Sequence, residues 1–493
     1  MAEDLKCSRY ILQVDGLEQR AKDVLHEVIT LRNSLRPVNH MPPEVLTSCA
    51  TFVSDTDPRP IVTLTHVCRY WRKSIVSNPR SWTSITTGWK RLGPLCLERA
   101  GAVPLAVNIM VSDIKSGEDF LESLIPQTSR IGRLCLTGYS SVETVAGDLP
   151  GFFNSPMSNL TSLDLQQTTE PAELFPSNET PVPPIFQDVT KLESLSLTRT
   201  PLYPALLSVT SLRELKLLGY TNPFHFGTFL EFLDSNPGLE CVALDIQFVV
   251  DSVETAPTRM TPLPHLRHLS ITCTKAIDAK GLLSCISLPH GTCLEVSCSQ
   301  ITSIYLCLPS PPTPIQMMLA PITVVKLQVT PWQLRVFGSN SFLSFRSPHA
   351  PHWFNGSELL LTASVREFYV DVVPLPWSFE GMVLAFGHLP ALETLVFAKA
   401  TWVTGAFDSF AGQPLLCPSL KTIAFFNCNL TPGALKEFEG VVAKRKGLAA
   451  AWLYRVMIVC SPNTLPDYTL IQRLRHHVPC VDVRLDDKLP DLS

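Results

Sequence analysis

Cysteine and histidine are the residues of this 493-residue chain with a claim to chemistry, and spacing decides what that chemistry could be. The cysteines number fifteen, and the densest group is Cys273, Cys285, Cys293, Cys298 and Cys307. Converging thiolates could hold zinc, but such sites are built from C-x-x-C pairs, and the chain has none. These cysteines therefore read as reduced, buried small hydrophobes. His265 with His268, and His476 with His477, could serve as general bases. No nucleophile or carboxylate is fixed beside them by spacing, so exposed surface histidines are expected. A Gly-rich phosphate loop, a G-x-S-x-G elbow and an H-E-x-x-H helix are all missing. The pattern points to a protein that is not an enzyme and needs no cofactor or metal.

Composition narrows the partners. Apolar residues make up 45% of the chain and charged residues 17%, which suits largely buried strands and excludes wholesale disorder. A formal net charge of -4 gives no basic field for nucleic acid. Residues 1–20 carry Glu3, Asp4, Lys6, Arg9, Asp15 and Glu18, unlike a secretory signal. The best apolar stretch, Leu448 to Cys460, is too short to span a bilayer and contains Arg455. A soluble cytoplasmic or nuclear protein, with no membrane partner, is the expectation.

The spacing predicts a helix over residues 5–36. Val14, Leu17, Ala21, Val24, Val28, Leu31 and Leu35 recur three and four apart, a heptad seam. Gly16 weakens its start and Pro37 ends it. The seam either forms a short coiled coil with a second chain or packs on a neighbouring element of its own chain. Residues 41–85 change character. MPPEVL opens a helix, because prolines fit the first turn, where an N–H has no partner. A loop follows at Asp55–Pro60. Beyond it Leu64, Val67, Cys68, Trp71 and Ile75 stack on one helical face, Pro79 stops the helix, and Trp82 lies on a short tail.

From about residue 100 a repeat takes over, of the form L-x-x-L-x-L with conservative apolar replacements. Copies start at 131, 160, 192, 212, 239, 266, 301, 324, 365, 392 and 420, with weaker ones at 453 and 478. The intervals centre on the roughly 20–29 residues of leucine-rich repeats, and the longest runs from Val324 to Val365. Alternate apolar residues turn one face of a short strand inward, and the leucine three positions earlier fills the turn into it. Such a unit cannot bury its face alone, so neighbours must stack. LKTIAFFNCNL, at 420–430, meets the fuller consensus, with Cys428 in its Asn/Cys position. In the copy at 192, Thr200 takes that post.

Proline clusters at Pro171–Pro184, Pro309–Pro314 with Pro321, and Pro374–Pro376 mark insertions. PSPPTP could form a polyproline II ligand for an SH3-like partner, or simply an extended bridge between repeats. Sequons at Asn159, Asn178, Asn355 and Asn429 matter only in a secreted chain. The run Lys444-Arg445-Lys446 reads as a solvated helix face.

MPPEVL (41–46), VCRYWR (67–72) and NPRSWTSI (78–85) resemble an F-box, as found among the F-box-like proteins of basidiomycete fungi. The upstream heptad helix and ERAGAVPLAVNI (98–109) are similar to that family too. With the heptad helix and the repeats read above, this gives an α/β chain in three parts: an amphipathic helix at 1–36, an F-box-like helical module at 37–90, and an irregular leucine-rich-repeat solenoid at 91–493. The resemblance implies a subunit that docks on a Skp-type adaptor, and through it on a cullin–RING ligase, while the repeats bind a protein substrate for ubiquitin transfer. Carried over by position, the adaptor-facing set is Pro42, Pro43, Val45, Leu46, Val67, Trp71 and Trp82. Independently, a module of about 45 residues is too small to bury both tryptophans. The family pattern has bulky aliphatics in the first helix where this chain has Thr47, Ser48, Cys49, Ala50 and Thr51. That thinner face lowers the expected adaptor affinity, and a degenerate module capping the repeats is the alternative. Substrate binding is expected at variable positions of the motifs: Thr161, Asp164, Glu193, Ser196, Arg213, Lys216, Arg267 and Ser270.

Overall fold

The computed structural model describes residues 2–485 apart from 55–58, 114–117, 170–188, 221–225, 248–259, 301–321, 348–364, 372–385, 400–406, 448–451, 461–467 and scattered shorter gaps. The three proline clusters, Cys307, the ITSIYL copy at 301 and the sequons at Asn178, Asn355 and Asn429 lie outside the described residues. The fold is α/β, with an N-terminal helical region and strands paired mostly in parallel. Contacts divide the chain into two compact units, one built on residues 1–169 and the other on residues 193–493.

The first unit begins with α1 (Ala2–Ser34), free of proline and ended by the 3-10 turn Pro37–His40. The seam residues Val14, Leu17, Val24, Val28, Leu31 and Leu35 are all exposed, so they do not pack on the chain's own neighbour. Then α2 (Pro43–Ser54), α3 (Arg59–Thr65) and α4 (Arg69–Val76) pack mutually. The expected single helix through Leu64 and Ile75 is thus two helices. Cys68 breaks it in extended conformation, and Arg72 Nε donates to the Thr65 carbonyl at 2.9 Å, satisfying the end of α3. Pro60 belongs to α3 rather than to a loop, because the first turn needs no N–H from it.

The sheet starts earlier than the motif copies predict. β1 (Ser84–Thr86) pairs in parallel with β2 (Leu105–Met110), with α5 (Leu92–Ala100) between them in sequence. α6 (Glu118–Leu124) precedes β3 (Ile131–Tyr139), and β4 (Ser162–Gln167) extends the parallel set. Ile85, Val107, Ile109, Leu134, Leu136, Leu163 and Leu165 form its buried face.

In the second unit β5 (Ser194–Thr198), β6 (Glu214–Leu218), β7 (Cys241–Asp245), β9 (His268–Lys275) and β11 (Cys293–Gln300) pair in parallel in that order. The short β8 (Thr261–Pro262) and β10 (Ile286–Ser287) pair apart from this sheet. Next comes an antiparallel meander of β12 (Ile322–Val329), β13 (Trp332–Gly338) and β14 (Phe342–Ser347), with β14 parallel to β11. β12 leads in parallel to β15 (Glu367–Asp371), β16 (Thr394–Ala398), β17 (Thr422–Phe426), β18 (Arg455–Cys460) and β19 (Cys480–Leu485).

The motif's first apolar residue is buried just before its strand in most of the described copies, as at Leu212, Leu266, Val365, Leu420 and Leu453. Two places differ from expectation. β11 was illegible because Gly291 stands where the first leucine should be, while Leu294 and Val296 behind it are buried. The VVKLQV copy at 324 is a strand, but its register opposes Val325 and Leu327 to Phe368 and Val370. The long interval from Val324 to Val365 therefore contains a meander in place of a repeat unit.

Left-handed backbone recurs at one position. Arg199, Gly219, Lys399 and Asn427, each directly after its strand, have φ of 53°, 75°, 53° and 49°. Their carbonyl-to-amide links run sideways: Arg199 N–H donates to Leu218, Lys399 N–H to Phe426 and Asn427 N–H to Val459. Those lateral bonds offset the cost of about 1–2 kcal/mol that a side chain pays in this region.

Candidate interaction sites

In the helical module, α2 has two apolar faces. Leu46 and Ala50 point into the core and are essentially unexposed. Val45, Cys49, Phe52 and Val53, spaced i, i+4, i+7 and i+8, are exposed on another face, Phe52 at 85%. The polar residues between them look after themselves. Thr47 and Ser48 hydroxyls donate to the Glu44 carbonyl at 3.1 and 2.8 Å, and Thr51 donates to Thr47 at 2.8 Å. Beside this face lies an open cleft of about 800 Å³, lined by Pro43, Thr47, Phe52, Ser74 and Arg80 among others.

The seven residues expected to face an adaptor divide accordingly. Pro42, Pro43, Val45 and Val67 are exposed, and Trp71 is half-buried. Leu46 and Trp82 are core residues at 1% and 2% exposure, a correction to the view that the module cannot house Trp82. The indole N–H of Trp82 donates to the Ile75 carbonyl at 3.0 Å, and the Arg99 guanidinium sits 4.3 Å above its ring. Residues beyond the module therefore complete its core, which size arguments limited to 45 residues missed. Phe52 and Val53 are the exposed residues overlooked by the sequence reading. Counting positions i+4 and i+7 from Val45 would have found Phe52.

The eight substrate candidates also sort into two groups. Asp164 lies on β4 of the first unit, where its Oδ2 accepts from Gln166 at 3.0 Å and from the Cys135 thiol at 3.7 Å. Ser196, Lys216 and Ser270 fall on one row of the second unit, running Ser196–Lys216–Ala243–Ser270–Glu295 across β5, β6, β7, β9 and β11. The structure brings those three together on the half-exposed face of the sheet.

Thr161, Glu193, Arg213 and Arg267 sit instead just before their strands. Thr161 Oγ1 donates to the Gly132 carbonyl at 3.0 Å. Arg213 and Arg267 both reach Glu240, at 3.1 and 3.6 Å, and Lys421 pairs with Glu393 at 3.2 Å at the same motif position. Charge at that position alternates along the chain: Glu193, Arg213, Glu240, Arg267, then Arg366, Glu393, Lys421. Stacked units place opposite signs side by side, and this signal was readable in the sequence. Glu240 thus links Arg213 and Arg267 across adjacent strands.

The polar face does not extend over the whole sheet. On β15–β18 the corresponding rows are Tyr369–Val396–Ala424–Met457 and Ala398–Phe426–Val459, apolar and largely buried.

Burial pushes Cys96, Cys285 and Cys293 up to about 11, and pushes Cys417 up to about 12. Burial and the neighbouring Asp164 carboxylate raise Cys135 to about 12. His268 lies in register between Cys241 and Cys293, two thiols that stay protonated at neutral pH for the same reason. The Sγ atoms of Cys273 and Cys298, directly opposed on β9 and β11, are 3.0 Å apart. Cys428 occupies its structural post, its thiol donating to the Phe397 carbonyl of the adjacent strand at 3.2 Å. The Asn159 carboxamide is engaged on both sides, by the Ser129 carbonyl and by Lys191 Nζ, each at 2.8 Å.

Among the described residues no group of three His, Cys, Asp or Glu side chains could hold a metal ion, and no helix is long and apolar enough to cross a membrane. Compared with protein-family models and with curated proteins, the chain matches none.

Proposed function

We propose that the chain is a substrate-recognition subunit of a Skp–cullin–F-box type ubiquitin ligase. The module at 37–90 docks the adaptor, and a leucine-rich-repeat solenoid behind it presents a protein substrate. The observation that carries the docking half is the exposed apolar face Val45–Cys49–Phe52–Val53 on α2, backed by a core of Leu46 and Trp82. A soluble module gains nothing by exposing a phenylalanine at 85%, whereas a partner surface would bury it. The solenoid half is supported by parallel strands in matching register, each preceded by a buried apolar residue. Substrate contact falls on the polar row through Ser196, Lys216 and Ser270.

Co-purification of the full chain with a Skp-type adaptor tests this reading. A complex at micromolar concentration is expected, and Phe52→Asp should weaken it by about thirtyfold, the scale of an interface hot spot of ~2 kcal/mol. Trp82→Ala serves as the contrast: it should cost ~3–5 kcal/mol of folding stability rather than act at the surface. No complex with the intact chain would sink the proposal.

A second reading has its own observation. β1 begins two residues after Trp82 and pairs with β2, so the module runs straight into the sheet. A repeat array needs a cap on its first unit, and the helices could serve as that cap in a scaffold that engages no adaptor.

A further inference from the structure

α1 runs for 33 residues, and its described side chains from Gln13 onward are exposed except Asn33, near its C-terminal end. Its apolar seam is 57–73% exposed from Val14 to Leu35. An isolated helix displaying such a stripe to water forgoes about 25 cal/mol for every Å² it could bury, so the seam calls for a cover. Its own sequence says which cover fits. In heptad notation Val14, Ala21, Val28 and Leu35 occupy a positions, while Leu17, Val24 and Leu31 occupy d positions, so the outer heptads pair valine at a with leucine at d. β-Branched residues at a with leucine at d favour two parallel strands. The flanks agree. Glu27 falls at g, and Arg32 lies five residues on at e, the position that faces g of the neighbouring chain in a parallel, in-register pair.

We propose that α1 dimerises the protein as a parallel, in-register coiled coil with α1 of a second copy, Glu27 of each helix pairing with Arg32 of the other. The pairing is independent of adaptor docking, which uses α2. It would make the assembly bivalent, with two recognition surfaces on one particle, and so raise avidity for a substrate carrying two sites.

Light scattering and sedimentation of the full chain at tens of micromolar test the proposal. Wild type should run at twice the chain mass. Leu17→Asp combined with Leu31→Asp should be monomeric with an unchanged thermal transition, because both leucines are exposed in the single chain. Arg32→Glu should raise the dimer dissociation constant about tenfold, since two symmetric pairs turn repulsive. Glu27→Arg added to Arg32→Glu should restore it. Alternative orientations give different results: an antiparallel pair sets Arg20 against Glu27, so Glu27→Arg would weaken it while Arg32→Glu would not. That outcome overturns the proposal, as does a monomeric wild type, which would leave the seam to a foreign helix. A dimer indifferent to the two leucine changes overturns it as well.

Discussion

Trp71 and Asn39 are joined across 32 residues of chain, the indole N–H donating to the carboxamide oxygen at 2.7 Å. The same oxygen receives the Cys68 thiol at 3.8 Å, and the Asn39 amide donates to the Asn33 carbonyl at 2.6 Å near the end of α1. One side chain thus ties α1, the turn Pro37–His40 and α4 together, and it orients Trp71 at the half-buried edge of the module. Asn39→Leu should lower stability by about 1–2 kcal/mol, chiefly the cost of leaving the half-buried indole N–H without its acceptor. Urea denaturation followed by tryptophan fluorescence checks it, and a change below the error of the midpoint would contradict this role.

Arg445 is wholly buried, and its guanidinium donates to the carbonyls of Leu416 at 2.7 Å and Cys417 at 2.9 Å. Cys417 is itself left-handed, with φ of 50°. Lys444 and Lys446 are exposed, reaching the carbonyls of Ala411 and His476, so in the basic run at 444–446 only Arg445 departs from the solvated face its charge suggested. Arg445→Met keeps the bulk but abandons the Leu416 carbonyl and takes one of two donors from that of Cys417, and should cost about 2 kcal/mol. Arg445→Lys should recover only part of that loss, because an ammonium cannot span both acceptors as the planar fork does. Thermal melting of the two variants beside wild type gives the order directly.

Glu240 stands between Arg213 and Arg267 on neighbouring units. Glu240→Arg replaces two attractions by two repulsions and should destabilise by about 1 kcal/mol, a loss that fades as salt screens the contact. Glu240→Gln should fall between. Midpoints measured at low and high ionic strength separate this electrostatic effect from a packing defect, which salt would leave untouched.

Buried thiols make stability fall at alkaline pH. Cys96 is pushed up to about 11 and Cys417 to about 12, from an ordinary 9.0, chiefly by burial. A raised folded-state value means that the unfolded chain releases the proton first. The associated stability is complete below about pH 9 and drains away as pH rises from there toward 11–12. Denaturant midpoints at pH 8 and pH 10.5 should differ more for wild type than for a Cys96→Ala, Cys417→Ala variant. Equal slopes would remove the thiols from the account.

Much of the repeat was written locally. At Leu212, Leu215 and Leu217, or Leu420, Ile423 and Phe425, a strand of period two and the residue that turns into it are neighbours in sequence, so the pattern survives reading without coordinates. β11 escaped because one glycine, Gly291, removed a single element of that pattern. The exposed apolar face of α2 was only half legible. Val45, within MPPEVL, came only with the set that the resemblance implies, and which of Val45, Leu46, Phe52 and Trp82 face outward depends on where α3, α4 and Arg99 lie, contacts that join residues far apart in the chain.

The sequence by itself determined that this chain builds short strands from a recurring apolar motif, that Cys428 has a structural post, and that α1 carries a heptad seam, since each follows from periodicity within a few turns of chain. Only the tertiary structure decided that Trp82 is core and Phe52 surface, that Arg445 is buried, that Arg213 and Arg267 share Glu240, and that the seam of α1 is uncovered. Burial and pairing are sums over neighbours brought in from distant segments, and no local pattern holds that sum.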